Sequence, residues 1–436
     1  LHRLIRRQRQ MCIRDRYCKG LATLDLDRVS RITGLGIEKM EKAAELVEGK
    51  RISFVIGHGI LQQRSGAQAL DALLNLCLLT GSLAVPERCL YFLAAENNAI
   101  GAWDMGAAPD FLPGRLPLCD DRSRKELERA WQVKLSPDPG LNMIRMIEEA
   151  EKGNLKALYI MGENPLRSLP QPERLRKALE KLEFLLVQDI LSNETTDLAD
   201  VVLPGAPFSE KGGSFTNLEG RIQPFEPVVS PPGDAKPDWE ILALLYQRMG
   251  HRERYLSHQD IRAEIVRVAP LYSELEKSDG ESWIKETSEL RLFNPNGKEE
   301  RILFSPLISL EDQEFDKTYP LKAILVSVRY HLGSGTRTGH SDRIKDFALK
   351  GEVEISLQDA DFLDLKERDK VRISSPYGSI SREVTLKKDL IPGLIFIPTG
   401  INNNDARQLV GLTQLGESDS SGWKGCDVRL EKIEDA

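Results

Sequence analysis

The chain has 436 residues, enough for two to four domains with real cores. Its 41% hydrophobic and 29% charged residues are ordinary for a globular protein, and no apolar run approaches the roughly 18 residues of a membrane helix, which excludes an integral helical membrane protein. The six cysteines form no CxxC pair and no metal-ligand spacing, so the expectation is reduced thiols in a reducing, cytoplasmic compartment, no metal site and no iron–sulfur cluster in this stretch.

The opening stretch, LHRLIRRQRQMCIRDR, carries six arginines and one aspartate but no apolar core, so it is not a secretory signal. Translating the DNA of a transposase library adapter in one frame gives Leu1 and His2, three index-dependent residues at Arg3, Leu4 and Ile5, and then Arg6 to Arg16 as they stand. Residues 1–16 are therefore expected to be translated adapter, foreign to the fold and to the natural N-terminus. Setting aside those six arginines and one aspartate moves the net charge from −7 to −12. An acidic chain is a poor polyanion binder, which argues against a nucleic-acid role.

From Tyr17 to about Arg248, predicted helices and strands alternate. IEKMEKAAELVEG places Ile37, Met40, Ala43 and Leu46 on one helical face, and RISFVIGHGI follows as a buried strand ending in a glycine turn. AQALDALLNLCLLTGSL predicts a long helix capped at Gly81. LNMIRMIEEAEKGNL, KALYIMGENP, ERLRKALEKL, EFLLVQDI and ADVVLPG then read as helix, strand, helix, strand and strand. Strands this apolar predict an α/β fold with a doubly wound parallel sheet over 17–250. A charged connection or insert occupies 251–315. The region 316–436 turns to short strands such as LKAILVSVRY, EVEISL and GLIFIPTG, which predict a C-terminal β-barrel.

Three apolar strands stop at small or polar residues, where ligands sit in doubly wound sheets. Gly57 and Gly59 let a backbone approach a phosphate. Gly162, Glu163, Asn164 and Pro165 form a tight turn that presents a carboxylate and an amide. Gln188 and Asp189 are placed to accept hydrogen bonds from a base or a ribose. Each of these is equally ordinary βα-turn chemistry taken alone. SEKGGSFTNLEGRIQPF concentrates Lys211, Thr216, Asn217, Glu219 and Arg221 between strands, as a ligand-lining or inter-domain loop, with a plain surface excursion as the alternative. In YHLGSGTRTGHS, Tyr330 and His331 close a strand, and a loop with Thr336 and Thr338 suits phosphate or pterin heteroatoms. His331 and His340 lack an acidic partner for a zinc site, and no GxSxG elbow occurs.

In this order, NNAIGAWDMGA, LYIMGENPL, VQDILSNETTDLADVVLPGAPFSEKGGSFTNLEGRIQ, KPDWEI and YHLGSGTRTG…ISSPYGSI resemble the molybdopterin oxidoreductase family across about residues 30–436. The resemblance implies α/β cofactor-binding domains, a dinucleotide-binding barrel and a pterin guanine dinucleotide, normally a pair (bis-MGD) holding Mo or W. It places the family's [4Fe–4S] domain and metal-ligand loop upstream of this chain. It also implies other subunits of a redox complex as partners, with the protein either free in the cytoplasm or peripheral at the cytoplasmic face of a membrane complex.

Two branches compete. In formate dehydrogenases, the stretch matching LAAENNAIGAWDMG carries an arginine that positions the anionic substrate beside the metal; here that position is Ala94, followed by Ala95 and Glu96. Methyl in place of guanidinium removes a bidentate anion clamp. Asn97, Asn98, Gly101, Asp104, Met105 and Gly106 keep the pattern, and NLEGR matches the G-type large subunit of NADH–quinone oxidoreductase. The favoured expectation is that electron-transfer subunit with a degenerate pocket. An active Mo/W formate dehydrogenase and a noncatalytic assembly module are the alternatives.

Overall fold

The computed structural model describes residues 17–22, 24–50, 52–63, 65–82, 90–94, 96–251, 254–269, 272, 282–283, 292–293, 299–300, 304–305, 317–331, 333–345, 351–413 and 422–434. The adapter-like head and most of the expected insert lie outside the described residues.

Helix α1 (Leu26–Thr33) starts at Asp25, whose carboxylate accepts from the Asp27 and Arg28 amides, and ends at Gly34 in the left-handed region. Helix α2 (Ile37–Val47) follows the predicted apolar face, yet neither helix buries a residue; Leu46 is 69% exposed. Strand β1 (Phe54–Gly57) pairs in parallel with β2 (Leu90–Leu93), with Gly57 beside Leu93. The expectation of a buried first strand is corrected here: only Ile56 is buried, and Val55 is 61% exposed, because the strand's second face has no cover among the described residues. Between them, α3 (Gly66–Leu79) ends as predicted. Gly81 has φ +71°, and the Ser82 amide reaches back to the Cys77 carbonyl at 2.9 Å.

Short α4 (Ala99–Asp104) and α5 (Asp121–Trp131) lead to α6 (Met143–Glu151). Strands β3 (Ala157–Met161), β4 (Phe184–Asp189) and β5 (Val201–Pro204) then form a parallel sheet in that order. Helices α6, α7 (Pro165–Ser168) and α8 (Pro172–Leu179) cover one face, burying Ile144, Ile147, Leu175, Leu179, Leu185 and Val187 in one cluster. At roughly 25 cal/mol per Å² of apolar surface, each such side chain contributes about 1.5–3 kcal/mol. Tyr159, Met161, Phe184 and Val201 are exposed on the other face.

The SEKGGSFTNLEGRIQPF stretch, expected as a loop, is a hairpin of β6 (Gly213–Thr216) and β7 (Arg221–Phe225). Its turn is built by Asn217, whose side-chain oxygen accepts from the Glu219 and Arg221 amides at 2.9 Å each, and by Gly220 at φ +83°. Phe215 stacks on Phe225, with centroids 4.5 Å apart. Helices α9 (Asp238–Arg248) and α10 (His258–Val268) follow, the latter opened by a reciprocal Ser257–Asp260 capping box.

The C-terminal region closes into a six-stranded barrel. Its strands are β8 (Leu321–Ser327), β9 (Val353–Ser356), β10 (Lys370–Ser374), β11 (Ser379–Lys387), β12 (Leu394–Thr399) and β13 (Gly425–Lys432). Around the barrel they run β8-β12-β9-β11-β10-β13, so every edge is paired. Alternate residues Ala323, Leu325, Val371, Ile373, Ile395, Ile397 and Val428 fill the interior. The architecture is thus parallel α/β followed by a closed barrel.

Candidate functional site

The C-terminal edge of the β1–β2 pair gathers the first group of expected site residues. Gly57 ends β1, Gly59 lies in the 3-10 turn His58–Gln62, and Ala94 and Asn97 sit exposed just after β2. A Cβ at Gly57 or Gly59 meets nothing within 4 Å, so both backbones face open space. Asn98 heads α4, and its side-chain oxygen accepts the Thr216 amide at 2.9 Å, tying this edge to the hairpin. The Thr216 hydroxyl lies 3.1 Å from that of Tyr272, which donates to Asp104 at 2.8 Å, and Arg115 pairs with the same carboxylate. Asp104 is fully buried, and burial pushes the Tyr272 phenol well above its ordinary range. Gly101 is glycine for space: a Cβ there would collide with the Asn98 amide.

The second group meets at the C-terminal edge of β3–β4, against the barrel. Gly162 at φ +67° turns the chain and donates to the Gln188 carbonyl at 2.8 Å. Asn164 precedes α7, and buried Pro165 occupies the helix's first turn. Buried Asn164 donates to Glu194 at 2.7 Å and to Thr336 of the barrel region at 3.0 Å, and accepts from the Thr195 hydroxyl at 2.7 Å. Arg167 donates to the Ser334 carbonyl at 3.0 Å and faces Glu194 at 3.4 Å. Asp189 is turned inward on its own loop, accepting from the Ile190 amide and the Asn193 side chain at 2.7 and 2.8 Å. Glu163 accepts from Ser168. A cavity of about 430 Å³ opens at this seam, lined by Arg167, Asn193, Glu194, Asp197, Thr336 and His340. Burial pushes the Glu194 carboxyl up, but hydrogen bonds from Asn164 and its own backbone, with the Arg167 charge, outweigh it and hold it below the usual range.

Gln188 and Lys211 are joined by a residue that sequence reasoning missed. Asp238, the acid of KPDWEI, accepts from the Gln188 amide at 2.6 Å and pairs with Lys211, while Tyr159 donates to Gln188. On the barrel side, buried His331 contacts the Gly400 carbonyl through Nε2. A carbonyl only accepts, so Nε2 carries the proton and Nδ1 accepts from the Thr338 hydroxyl at 2.7 Å. His331 therefore pins the loop that presents Thr336. Tyr330 is exposed at φ +67° beside Arg329, and Asn217 is spent on its turn.

The structure thus brings Asn164 and Thr336 into contact, links Gln188 with Lys211 and Asn98 with Thr216, and leaves Glu163, Asn97 and Tyr330 outside these networks. Arg167, Glu194, Thr195, Asp238 and Tyr272 were not singled out from sequence; the string LSNETTDLAD was the available signal for two of them. Among the described residues no group of three or more His, Cys, Asp or Glu is placed to hold a metal ion, and no helix is long and apolar enough to cross a membrane.

Comparison with known proteins defines the class. A model described as molybdopterin oxidoreductase matches residues 38–248, and one described as molydopterin dinucleotide binding domain matches residues 321–420. The two matches fall on the parallel α/β region and on the barrel, and the chain belongs to the molybdopterin oxidoreductase family. It is 34% identical to the F420-dependent formate dehydrogenase subunit alpha of Methanocaldococcus jannaschii over 93% of this chain and 62% of that one. It is 33% identical to the NADPH-Fe(3+) oxidoreductase subunit alpha of Geobacter sulfurreducens over 88% of this chain and 43% of that one. The chain therefore spans between two fifths and two thirds of these relatives. A solved acetylene hydratase from Pelobacter acetylenicus is 17% identical with a TM-score of 0.49, over 72% of this chain and 50% of that one.

Proposed function

We propose that the chain is part of the large subunit of a multi-subunit electron-transfer oxidoreductase, of the G type found in NADH–quinone oxidoreductases, which keeps the wall of a pterin-dinucleotide pocket but lacks the anion clamp of formate oxidation. The carrying observation is Ala94. It stands exposed at the C-terminal end of β2, with exposed Glu96 two residues on. A methyl group offers no hydrogen bond to a carboxylate substrate, and a neighbouring carboxylate repels it.

The seam suits a pterin guanine dinucleotide on its donor set. A 430 Å³ cavity lined by the carboxylates of Glu194 and Asp197, the Thr336 hydroxyl, the His340 ring and the Arg167 guanidinium offers mixed hydrogen-bonding groups to the edges of a base and its ribose. When bound, the Mo or W pterin supplies two-electron chemistry. The chain's own residues orient it: Asn164 fixes Thr336 and Glu194 relative to each other, and Asp238 fixes Gln188 and Lys211. The G. sulfurreducens relative, named for electron transfer from NADPH to Fe(3+), supports an electron-transfer role.

Formate oxidation is the second reading, favoured by the name of the M. jannaschii relative. The complete large subunit, purified with metal and guanine dinucleotide quantified, separates the two. Formate-dependent dye reduction by the unaltered protein supports the dehydrogenase. Activity that emerges only in Ala94→Arg supports a pocket intact except for its clamp. Stoichiometric Mo or W with dinucleotide overturns a cofactor-free relic.

A further inference from the structure

One cluster of oxidisable side chains takes no part in the networks above. Trp131 closes α5 and donates through Nε1 to one carboxylate oxygen of Glu264, in α10, at 2.7 Å. Tyr255, just before that helix, donates its phenol to the other oxygen at 2.5 Å. The Tyr255 ring centroid lies 6.5 Å from that of Tyr246 in α9, and Tyr246 stacks on His251 with centroids 3.9 Å apart. Trp131, Tyr246, Tyr255 and Glu264 are half-buried and His251 is exposed, so the series ends at solvent.

An indole or phenol that loses an electron becomes a strong acid, and the neutral radical forms readily only where a base within hydrogen-bond reach takes the proton. Indole N–H and phenol O–H both donate to Glu264, which accepts at both oxygens and is placed to take either proton. Elsewhere Trp423 donates to the Thr413 carbonyl and Tyr159 to the Gln188 amide oxygen, groups that take up no proton. Electron transfer falls steeply with distance, so neighbouring rings that share one base pass an electron between them most easily.

We infer that Trp131, Tyr255 and Tyr246, with Glu264 as a shared base, form a path that carries a one-electron oxidising equivalent to the protein surface. The oxidant is of the oxygen-radical class. A peroxyl radical takes one electron from Trp131, the Nε1–H bond breaks and a Glu264 O–H bond forms; the resulting peroxide anion takes its proton from water. An electron then passes from Tyr255 to the Trp131 radical. Glu264 returns a proton to Nε1 from one oxygen and takes the phenolic proton on the other. Tyr246 next reduces the Tyr255 radical, Glu264 gives Tyr255 its proton back, and the Tyr246 phenolic proton leaves to water. A soluble reductant of the enediol class returns one hydrogen atom to Tyr246, beside exposed His251.

The test oxidises the full chain with a photogenerated ruthenium(III) polypyridyl complex in place of the peroxyl radical, and follows the radicals by transient absorption and electron paramagnetic resonance. The parent is expected to show a tryptophan radical that decays as a tyrosyl radical grows, more slowly in deuterium oxide. Each trace is read against Trp131→Phe, which leaves the chain's other tryptophans in place. Tyr255→Phe keeps the ring and removes the phenol, and should lengthen the life of the Trp131 radical about tenfold or more. Glu264→Gln keeps an acceptor oxygen but takes no proton, and should slow tyrosyl growth by about a hundredfold. A clamp that only holds α5 against α10 moves neither rate. If Glu264→Gln does not fold, Tyr255→Phe and Tyr246→Phe carry the comparison, the latter expected to hold the radical on Tyr255. Equal decay of the Trp131 radical in the parent and Tyr255→Phe, or tyrosyl growth unchanged by Glu264→Gln, overturns the path.

Discussion

At the scale of single residues, Asn164 ties its own loop network to the C-terminal half of the chain. One buried amide serves Glu194, Thr195 and Thr336, the last 172 positions away. Asn164→Ala leaves the buried Thr195 hydroxyl without its acceptor and Glu194 without its best donor, a loss of about 2–3 kcal/mol. Urea unfolding measures it, and an unchanged midpoint contradicts the assignment. Glu194 adds a pH signature. Its folded pKa is depressed, so its contribution is complete above the unfolded value of about 4.3 and is lost as pH falls through the folded value. The stability gap between parent and Asn164→Ala should therefore be wide at neutral pH and shrink on acidification below about pH 4. A gap independent of pH argues against Glu194 as the group involved. Tyr272→Phe makes a comparable case in the other network, stripping a donor from fully buried Asp104 at a cost of about 1–3 kcal/mol.

At the scale of elements, much was legible because period and turn chemistry report local conformation. The apolar runs at 157–161 and 184–189 gave the parallel pair, Gly81 gave the cap of α3, and alternation after Tyr319 gave the barrel. Which faces are covered was not legible. RISFVIGHGI holds the apolar run FVI, yet Val55 is exposed among the described residues, since a strand's sequence does not say what packs on it. The polar hairpin was missed because Asn217 and Gly220 supply the turn while its strands are short and mixed. Gly57, Gly162, Asn164 and Gln188 were readable at strand ends by a general rule of open sheets. Arg167, Glu194 and Asp238 were not, because surface-type charges acquire partners only through contacts far along the chain. The barrel interior offers an element-scale check. Ile395→Ala at a fully buried position should cost about 2–5 kcal/mol, read from the denaturation midpoint, and a cost under 1 kcal/mol argues against the closed core.

At the scale of the whole molecule, apolar surface is unevenly distributed. The outer face of β3–β5 exposes Tyr159, Met161, Phe184 and Val201, and no residue of α1 or α2 is buried. Parallel sheets are ordinarily covered on both faces, so this chain in isolation should bind a hydrophobic dye and self-associate. Light scattering with dye fluorescence checks this, and a monodisperse, dye-silent monomer would contradict it. The same scale holds the functional question: the chain belongs to the molybdopterin oxidoreductase family, and the proposed function turns on the side chain at position 94. The most direct test is formate-dependent dye reduction by the complete large subunit, normalised to bound Mo or W. The account predicts no formate turnover while position 94 is alanine; turnover by the unaltered protein would contradict it.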